Sequence, residues 1–335
     1  MTVGELGEHP LLARILARLP RPSPSILLGP GDDAAVLAPV RNERLVVTTD
    51  AVVEGVHFTR AFSSAADIGH KALAVNLSDL AAMGATPHWA LLSLVLPDST
   101  LVDDIERLVE ALGALAGHHQ VSVVGGNITR TDGPLVVDVT AGGSVAPRRW
   151  LTRSGARAGD DVWVSGSIGG AAAGLEMLRA GIGEQGSGTG ECVARHRRPE
   201  PRVRLGVAIA RARAATAAMD LSDGLADALQ QVGASSSVGV RIDAESLPID
   251  PGARAWWASR GIDPVVAALA GGDDYELLVT APGRRGGALR SVMRQMSNPP
   301  LTRIGVLTKD PGERVLVRGS KEEPIPRGFE HFAHR

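Results

Sequence analysis

The sequence predicts an α/β protein built from two domains. Three observations carry this. Short β-branched runs alternate with Ala/Leu-rich helical stretches, the alternation restarts after a basic, turn-rich segment at 147–159, and 335 residues suffice for two cores of ordinary size. Hydrophobic residues at 44% and charged residues at 21% fit a folded soluble chain. A formal net charge of −2 supplies no global positive field, so no nucleic-acid partner is expected.

Residues 1–20 carry Glu5 and Glu8 where a signal peptide would carry lysines. Leu11, Leu12, Ile15, Leu16 and Leu19 recur at helical spacing and predict one amphipathic helix. No apolar stretch approaches the roughly 20 residues that span a bilayer, so no membrane partner is expected. The single cysteine, Cys192, excludes an intramolecular disulfide and fits a reducing, cytoplasmic setting.

A strand at 45–49 ends in Asp50. A helix follows at 67–83, with Ile68, Ala72, Val75 and Leu80 facing inward, then a buried strand at 89–96. The helix at 101–116 opens on Asp103 and Asp104, which its dipole favours. Strands at 121–124 and 135–140 complete a first domain, 1–148, and the second is 149–335. There, strands are expected at 161–165, 217–221, 239–242 and 276–280. Helices are expected at 171–180, 203–213, 224–232 and 253–259, with a mobile low-complexity loop at 181–190. Such alternation implies mixed sheets.

Chemistry concentrates where apolar strands run out into aspartates. The pattern appears in Gly31-Asp32-Asp33-Ala34-Ala35, Thr48-Thr49-Asp50, Asp220-Leu221-Ser222-Asp223-Gly224 and Gly272-Asp273-Asp274-Tyr275-Glu276, and Asp79 adds a fifth site on a helix. Any one such loop is equally well a turn or a helix cap. Five together point to hard oxygen ligands for Mg²⁺, because gathered carboxylates repel unless a cation neutralises them. Asp220 and Asp223 converge at a strand-to-helix junction whose N–H groups suit a phosphate. Thr49 beside Asp50 pairs a hydroxyl with a carboxylate, as nucleotide sites do.

Familiar nucleotide motifs are absent: there is no Walker loop and no protein-kinase set. The G-x-G-x-x-G at Gly181, Gly183 and Gly186 follows a helix and lacks the Rossmann context. Gly166-Ser167-Ile168-Gly169-Gly170 reads as well as tight helix–sheet packing. Zinc spacings are missing too. His118 and His119 close a helix and are expected exposed, whereas His57 stands near the acidic loops with structural and ligand roles both open. The basic run Arg195-His196-Arg197-Arg198, then Arg202 and Arg204, reads as a solvated face in preference to a phosphate site.

Several stretches together resemble thiamine-monophosphate kinase. They are Gly31-Asp32-Asp33-Ala34-Ala35, Thr48-Thr49-Asp50 running on to Val56-His57-Phe58, Lys71-Ala72-Leu73 through Asn76-Leu77-Ser78-Asp79 to Gly84-Ala85, Leu151-Thr152-Arg153-Ser154-Gly155, Met219-Asp220-Leu221-Ser222-Asp223-Gly224 and Gly328-Phe329-Glu330-His331-Phe332. The resemblance implies the two-domain fold shared with aminoimidazole ribonucleotide synthetase, a homodimer whose N-terminal sheets pair into a β-barrel, each followed by a C-terminal α/β domain. It implies ATP-dependent phosphorylation of thiamine monophosphate. By the same likeness Asp33, Thr48, Thr49, Asp50, Asp79, Asp220 and Asp223 hold several Mg²⁺ ions, with Asp33, Asp50, Asp79, Asp220 and Asp223 as the catalytic acids. Arg153, Ser222 and a turn at Gly125-Gly126 would touch ATP, and His57, Asp273 and Phe329 the thiamine substrate.

Two positions depart from the family pattern: Asn127 stands for Asp in Gly-Gly-Asp, and Asp273 for Glu in Gly-Glu-Asp. An amide oxygen still ligates Mg²⁺ but removes a full charge. Relatives on the same fold fit less well. Selenophosphate synthetase wants a reactive N-terminal cysteine and the hydrogenase-maturation member a C-terminal one, and Cys192 is neither. Aminoimidazole ribonucleotide synthetase would activate an amide oxygen. The remaining alternative is a non-catalytic nucleotide-binding scaffold marked by Asn127.

Overall fold

The computed structural model describes residues 1–30, 34–183, 188–283, 287–296 and 299–328. They fall into two compact units, Met1–Leu80 with Thr86–Pro147, and Ala81–Ala85 with the chain from Arg148 onward.

In the first unit the N-terminus forms two helices where the apolar spacing predicts one. Gly7, at φ 84°, separates α1 (Val3–Leu6) from α2 (Glu8–Arg18), and a Thr2–Glu5 capping box starts the first. Leu11 and Ile15 are buried while Leu12 faces water, so the apolar stripe is narrower than the leucine spacing suggests. β1 (Ile26–Leu28) pairs antiparallel with β2 (Val36–Leu37). The main sheet has the order β3-β6-β4-β5, from β3 (Arg44–Val53), β4 (Thr86–Pro97), β5 (Ser122–Thr131) and β6 (Val136–Val145). α3 (Ala65–Ala82) precedes β4, and α4 (Val102–His118) makes the crossover between the parallel strands β4 and β5. Ala90, Leu92, Leu94 and Leu96 alternate into the core while Leu91 is exposed, the period-2 signature of a sheet with one covered face. Each buried leucine contributes roughly 2 kcal/mol.

Gly125 and Gly126 do not form a turn. Both lie inside β5, opposite Leu91 and Leu92, just after a register shift. A Cβ on Gly126 would stand 1.8 Å from the Leu92 carbonyl oxygen, so glycine is required there by the close approach of β4.

The second unit holds a mixed seven-stranded sheet, order β13-β12-β9-β11-β7-β10-β8. Its strands are β7 (Asp160–Ser165), β8 (Ala217–Asp220), β9 (Gly239–Asp243), β10 (Leu277–Pro282), β11 (Leu301–Thr308), β12 (Arg314–Arg318) and β13 (Lys321–Pro324). Within this sheet, as described, the β12–β9 pair is parallel and the other pairs are antiparallel. The helices are α5 (Gly170–Arg179), α6 (Thr189–Arg197), α7 (Val203–Ala212), α8 (Leu225–Ser236), α9 (Pro251–Ala258), α10 (Pro264–Ala270) and α11 (Gly287–Gln295). α6 begins inside the stretch expected as a loop, of which 184–187 lie outside the described residues. Gly169 caps α5 at φ 80°, and a Cβ there would meet the buried Trp257 ring at 2.8 Å, which favours the packing reading of the 166–170 glycines. Among the described residues no helix is long and apolar enough to cross a membrane.

Candidate active site

In the first unit, β3 and α3 bring two of the expected residues into contact. Thr48 lies on β3 and donates its hydroxyl to Asp79 Oδ2 on α3 in a short hydrogen bond. Asp50 is two residues further along and shares that strand face. Thr49 points the other way: its hydroxyl meets Thr140 Oγ1 at 3.0 Å and the Val139 carbonyl at 3.3 Å. The run Thr48-Thr49-Asp50 is therefore divided between the two faces of the sheet.

Asn127 belongs to the face that carries Thr49. It sits opposite Ser93 on β4, and Ser93 sits opposite Asp138 on β6. Gly125, Gly126, Asn127, Asp138 and Thr140 line a cavity of about 980 Å³ there. Burial raises the Asp138 carboxyl above its ordinary range. Asp138 escaped sequence reading beyond its place on a strand, because a lone acid among valines carries no motif.

His57 is held by its own turn. Its Nδ1 accepts the Val53 N–H at 3.1 Å, and the buried Lys71 ammonium donates to its carbonyl at 3.3 Å. The neutral ring thus carries its proton on Nε2. Asp33 and Phe329 lie outside the described residues.

In the second unit the two acidic loops are stitched together by backbone. Leu221 N donates to Glu276 O at 2.8 Å, Asp273 N to Ser222 O at 2.7 Å, and Tyr275 N to Leu221 O at 3.1 Å. Asp220 is buried at the end of β8, opposite Leu277, while Ser222 and Asp223 are half-buried before α8. Gly224 starts that helix at φ 92°, and a Cβ there would stand 2.5 Å from the Gly271 oxygen. Arg153 is exposed and donates to Gln231 Oε1, while Gln231 Nε2 donates to Asp227 Oδ2 at 2.6 Å.

The basic run is a solvated face only in part: Arg198 and Arg204 are exposed, whereas Arg195, His196 and Arg202 turn inward. Arg202 donates through Nε and Nη2 to the fully buried Glu276 carboxylate at 2.7 and 2.5 Å, and Arg195 adds a third bond at 3.1 Å. Burial pulls the Arg202 pKa down, but the hydrogen bonds and charge of Glu276 raise it above the ordinary value. Asp274 accepts from the N–H groups of Gly169 and Ala171 at 2.6 and 3.2 Å. Burial pushes its carboxyl up to about 7, against the opposing pull of Arg195 and those N–H groups. Asp274 and Glu276 were read as part of the acidic 272–276 loop but given no individual role, since their partners lie 74 to 111 residues away.

Among the described residues no three His, Cys, Asp or Glu side chains are gathered closely enough to hold a metal ion. The donor set that is present, hydroxyl and carboxylate oxygens at Thr48, Asp50 and Asp79 without thiolate or imidazole, fits a hard cation that keeps waters.

Residues 31–145 match the N-terminal domain, and 157–318 the C-terminal domain, of AIR synthase related proteins. The thiamine-monophosphate kinase of Escherichia coli (strain K12) is 38% identical across 98% of each chain. The chain belongs to the thiamine-monophosphate kinase family. The kinase of that family from Stenotrophomonas maltophilia K279a superposes with a TM-score of 0.80 at 44% identity, covering 90% of this chain and 94% of its own. AaThiL complexed with AMPPCP and TMP superposes with a TM-score of 0.76 at 33% identity, covering 99% of both chains. The α/β architecture expected from the alternating pattern is thus the two-domain fold of the thiamine-monophosphate kinases.

Proposed function

We propose that this chain transfers the γ-phosphoryl group of ATP to thiamine monophosphate, yielding thiamine diphosphate and ADP. The observation that carries the reading is the end-to-end likeness to AaThiL complexed with AMPPCP and TMP. AMPPCP stands in for ATP, with carbon at the bridge between its last two phosphorus atoms, and TMP is read as the acceptor.

The acceptor phosphate monoester has a second pKa of about 6 and is already largely dianionic at neutral pH. No general base is required, which suits a chain rich in acids and without an obvious proton acceptor. The difficulty is bringing two anions together. Asp33, Thr48, Thr49, Asp50, Asp79, Asn127, Asp220 and Asp223 are assigned to hold Mg²⁺. The oxygen donors of Thr48, Asp50 and Asp79 on one side of the first-unit sheet support that assignment, while Thr49 and Asn127 lie on its other face. When bound, Mg²⁺ neutralises phosphate charge and orients the phosphate oxygens. Arg153, Ser222 and the Gly125-Gly126 backbone are assigned to ATP, and His57, Asp273 and Phe329 to the thiamine end. Transfer is direct, with no phosphoenzyme.

The chain is assigned as a homodimer whose first-unit sheets pair into a barrel. Leu45, Val47 and Leu91, all exposed on the uncovered sheet face, support that pairing. A cytoplasmic setting is supported by the sequence holding a single cysteine, Cys192, which is buried.

Purified protein given ATP, Mg²⁺ and thiamine monophosphate is expected to release thiamine diphosphate and ADP in equal amounts. ADP without thiamine diphosphate would overturn the reading. Label from γ-labelled ATP retained on denatured protein would overturn direct transfer.

A further inference from the structure

The loop 272–276 is held against its own backbone preferences. Asp273 at φ 67° and Tyr275 at φ 49° both adopt the left-handed conformation, which residues other than glycine keep only when their surroundings impose it. The surroundings are specific. Asp274 is tied to the start of α5 through Gly169 N and Ala171 N. Glu276 is tied to β7 through Ser165 Oγ at 2.6 Å, and to Arg195 and Arg202. The two anchored residues alternate with the two left-handed ones.

The left-handed residues meet each other. The hydroxyl of Tyr275, the only tyrosine in the chain, donates to Asp273 Oδ1 at 3.1 Å. His196 Nδ1 stands 3.5 Å from the other carboxylate oxygen. The ion cluster on the fully buried Glu276 carboxylate is a poor source of net stability, since well-packed apolar residues do as well, and in some proteins such clusters serve to fix a conformation. What it fixes here is the direction of one half-exposed carboxylate, Asp273, whose side chain is 31% exposed.

We propose that Tyr275 and Glu276, with Arg195 and Arg202, are positioning residues that aim the Asp273 carboxylate at the thiamine end of the acceptor, setting affinity for thiamine monophosphate and not for ATP. The proposal rests on the kinase reading above and extends it. Thiamine carries a permanently cationic thiazolium ring and an aminopyrimidine, and a carboxylate of fixed direction complements either. Asp273 is one methylene shorter than the family's glutamate, so its reach depends more heavily on the backbone beneath it.

The test is steady-state kinetics on the full chain, varying each substrate at saturating concentration of the other, for wild type, Tyr275→Phe, Arg202→Ala and Arg202→Lys. Losing one hydrogen bond to a charged group corresponds to about a 10-fold change. Tyr275→Phe is expected to raise KM for thiamine monophosphate by about that factor, with KM for ATP moving less than about 2-fold. Arg202→Ala is expected to raise the same constant further, and Arg202→Lys to recover part of it. Unmoved KM for thiamine monophosphate in Tyr275→Phe overturns the proposal, as does an equal rise for both substrates. A fall in kcat alone, the mark of lost folded enzyme, also overturns it. Tyr275→Phe removes one oxygen, so the test stands even where Arg202→Ala fails to fold. Wild type that makes no thiamine diphosphate defeats the kinase reading itself, whereas an active wild type with unmoved variants defeats only this inference.

Discussion

At Asp79 a half-buried carboxylate accepts one threonine hydroxyl and, among the described residues, has no ion-pair partner. At Glu276 a fully buried carboxylate takes two guanidiniums and a serine hydroxyl. Both acids belong to the recurring acid pattern in the sequence, yet their charges are met differently. Glu276 is neutralised from within the fold and acts on conformation. Asp79 has no such internal counter-charge among the described residues, which is what its proposed cation role requires. An aspartate-rich loop therefore names two physical classes, and the internal partner tells them apart.

The contrast breaks most readily at Asp79. Asp79→Ala is expected to lower kcat by on the order of 10²–10³-fold while the thermal midpoint moves little, since a charge-stabilising group is lost and no packing with it. Equal losses in activity and midpoint would place Asp79 in the structural class. Glu276→Ala is expected to behave oppositely, costing about 3 kcal/mol or more of unfolding free energy in urea titration, because two half-buried guanidiniums lose their fully buried counter-charge. A variant as stable as wild type would remove the distinction.

Smaller effects sharpen the comparison. Gly126→Ala is expected to cost about 2 kcal/mol by the same titration, since its methyl group would displace the Leu92 carbonyl, and unchanged stability would contradict the strand pairing. Asn127→Asp restores a full charge on the cavity face and is expected to lower the Mg²⁺ concentration for half-maximal turnover a few-fold; an unmoved Mg²⁺ titration would detach Asn127 from the metal. Asp274 gives the finest test. Its carboxyl is raised from 3.8 to about 7, so the native state holds a proton that the unfolded chain has released across that window. Wild-type stability from this group therefore falls as pH rises from about 4 to about 7. Asp274→Asn lacks the titration, and the stability difference between wild type and variant is expected to shrink over the same range. A difference independent of pH would mean the group does not titrate there.

Much of the fold was legible because period-2 and helical spacing report burial directly: the strands carrying Thr48 and Leu92 and the helix carrying Asp79 follow the apolar pattern. Gly125 and Gly126 misled because glycine marks both turns and close approaches, and only the neighbouring strand distinguishes them. α6 hid behind a glycine-rich stretch, its buried face being Cys192, Val193 and His196, with no aliphatic stripe. Gly7 ended a helix whose leucine spacing continued past it. The contact between Thr48 and Asp79 was anticipated as membership of one set. The fate of Arg195 and Arg202 was not, since their partner Glu276 lies beyond any local window.

The kinase reading proposes that Asp79 in the first unit and Asp220 in the second each serve as a ligand to a divalent cation. Binding of Mn²⁺, as a paramagnetic substitute for Mg²⁺, measured by electron paramagnetic resonance with ATP present, tests it most directly. Wild type is expected to bind, and Asp79→Ala and Asp220→Ala each to lose bound ions while remaining folded. Undiminished Mn²⁺ binding in both variants would contradict the account.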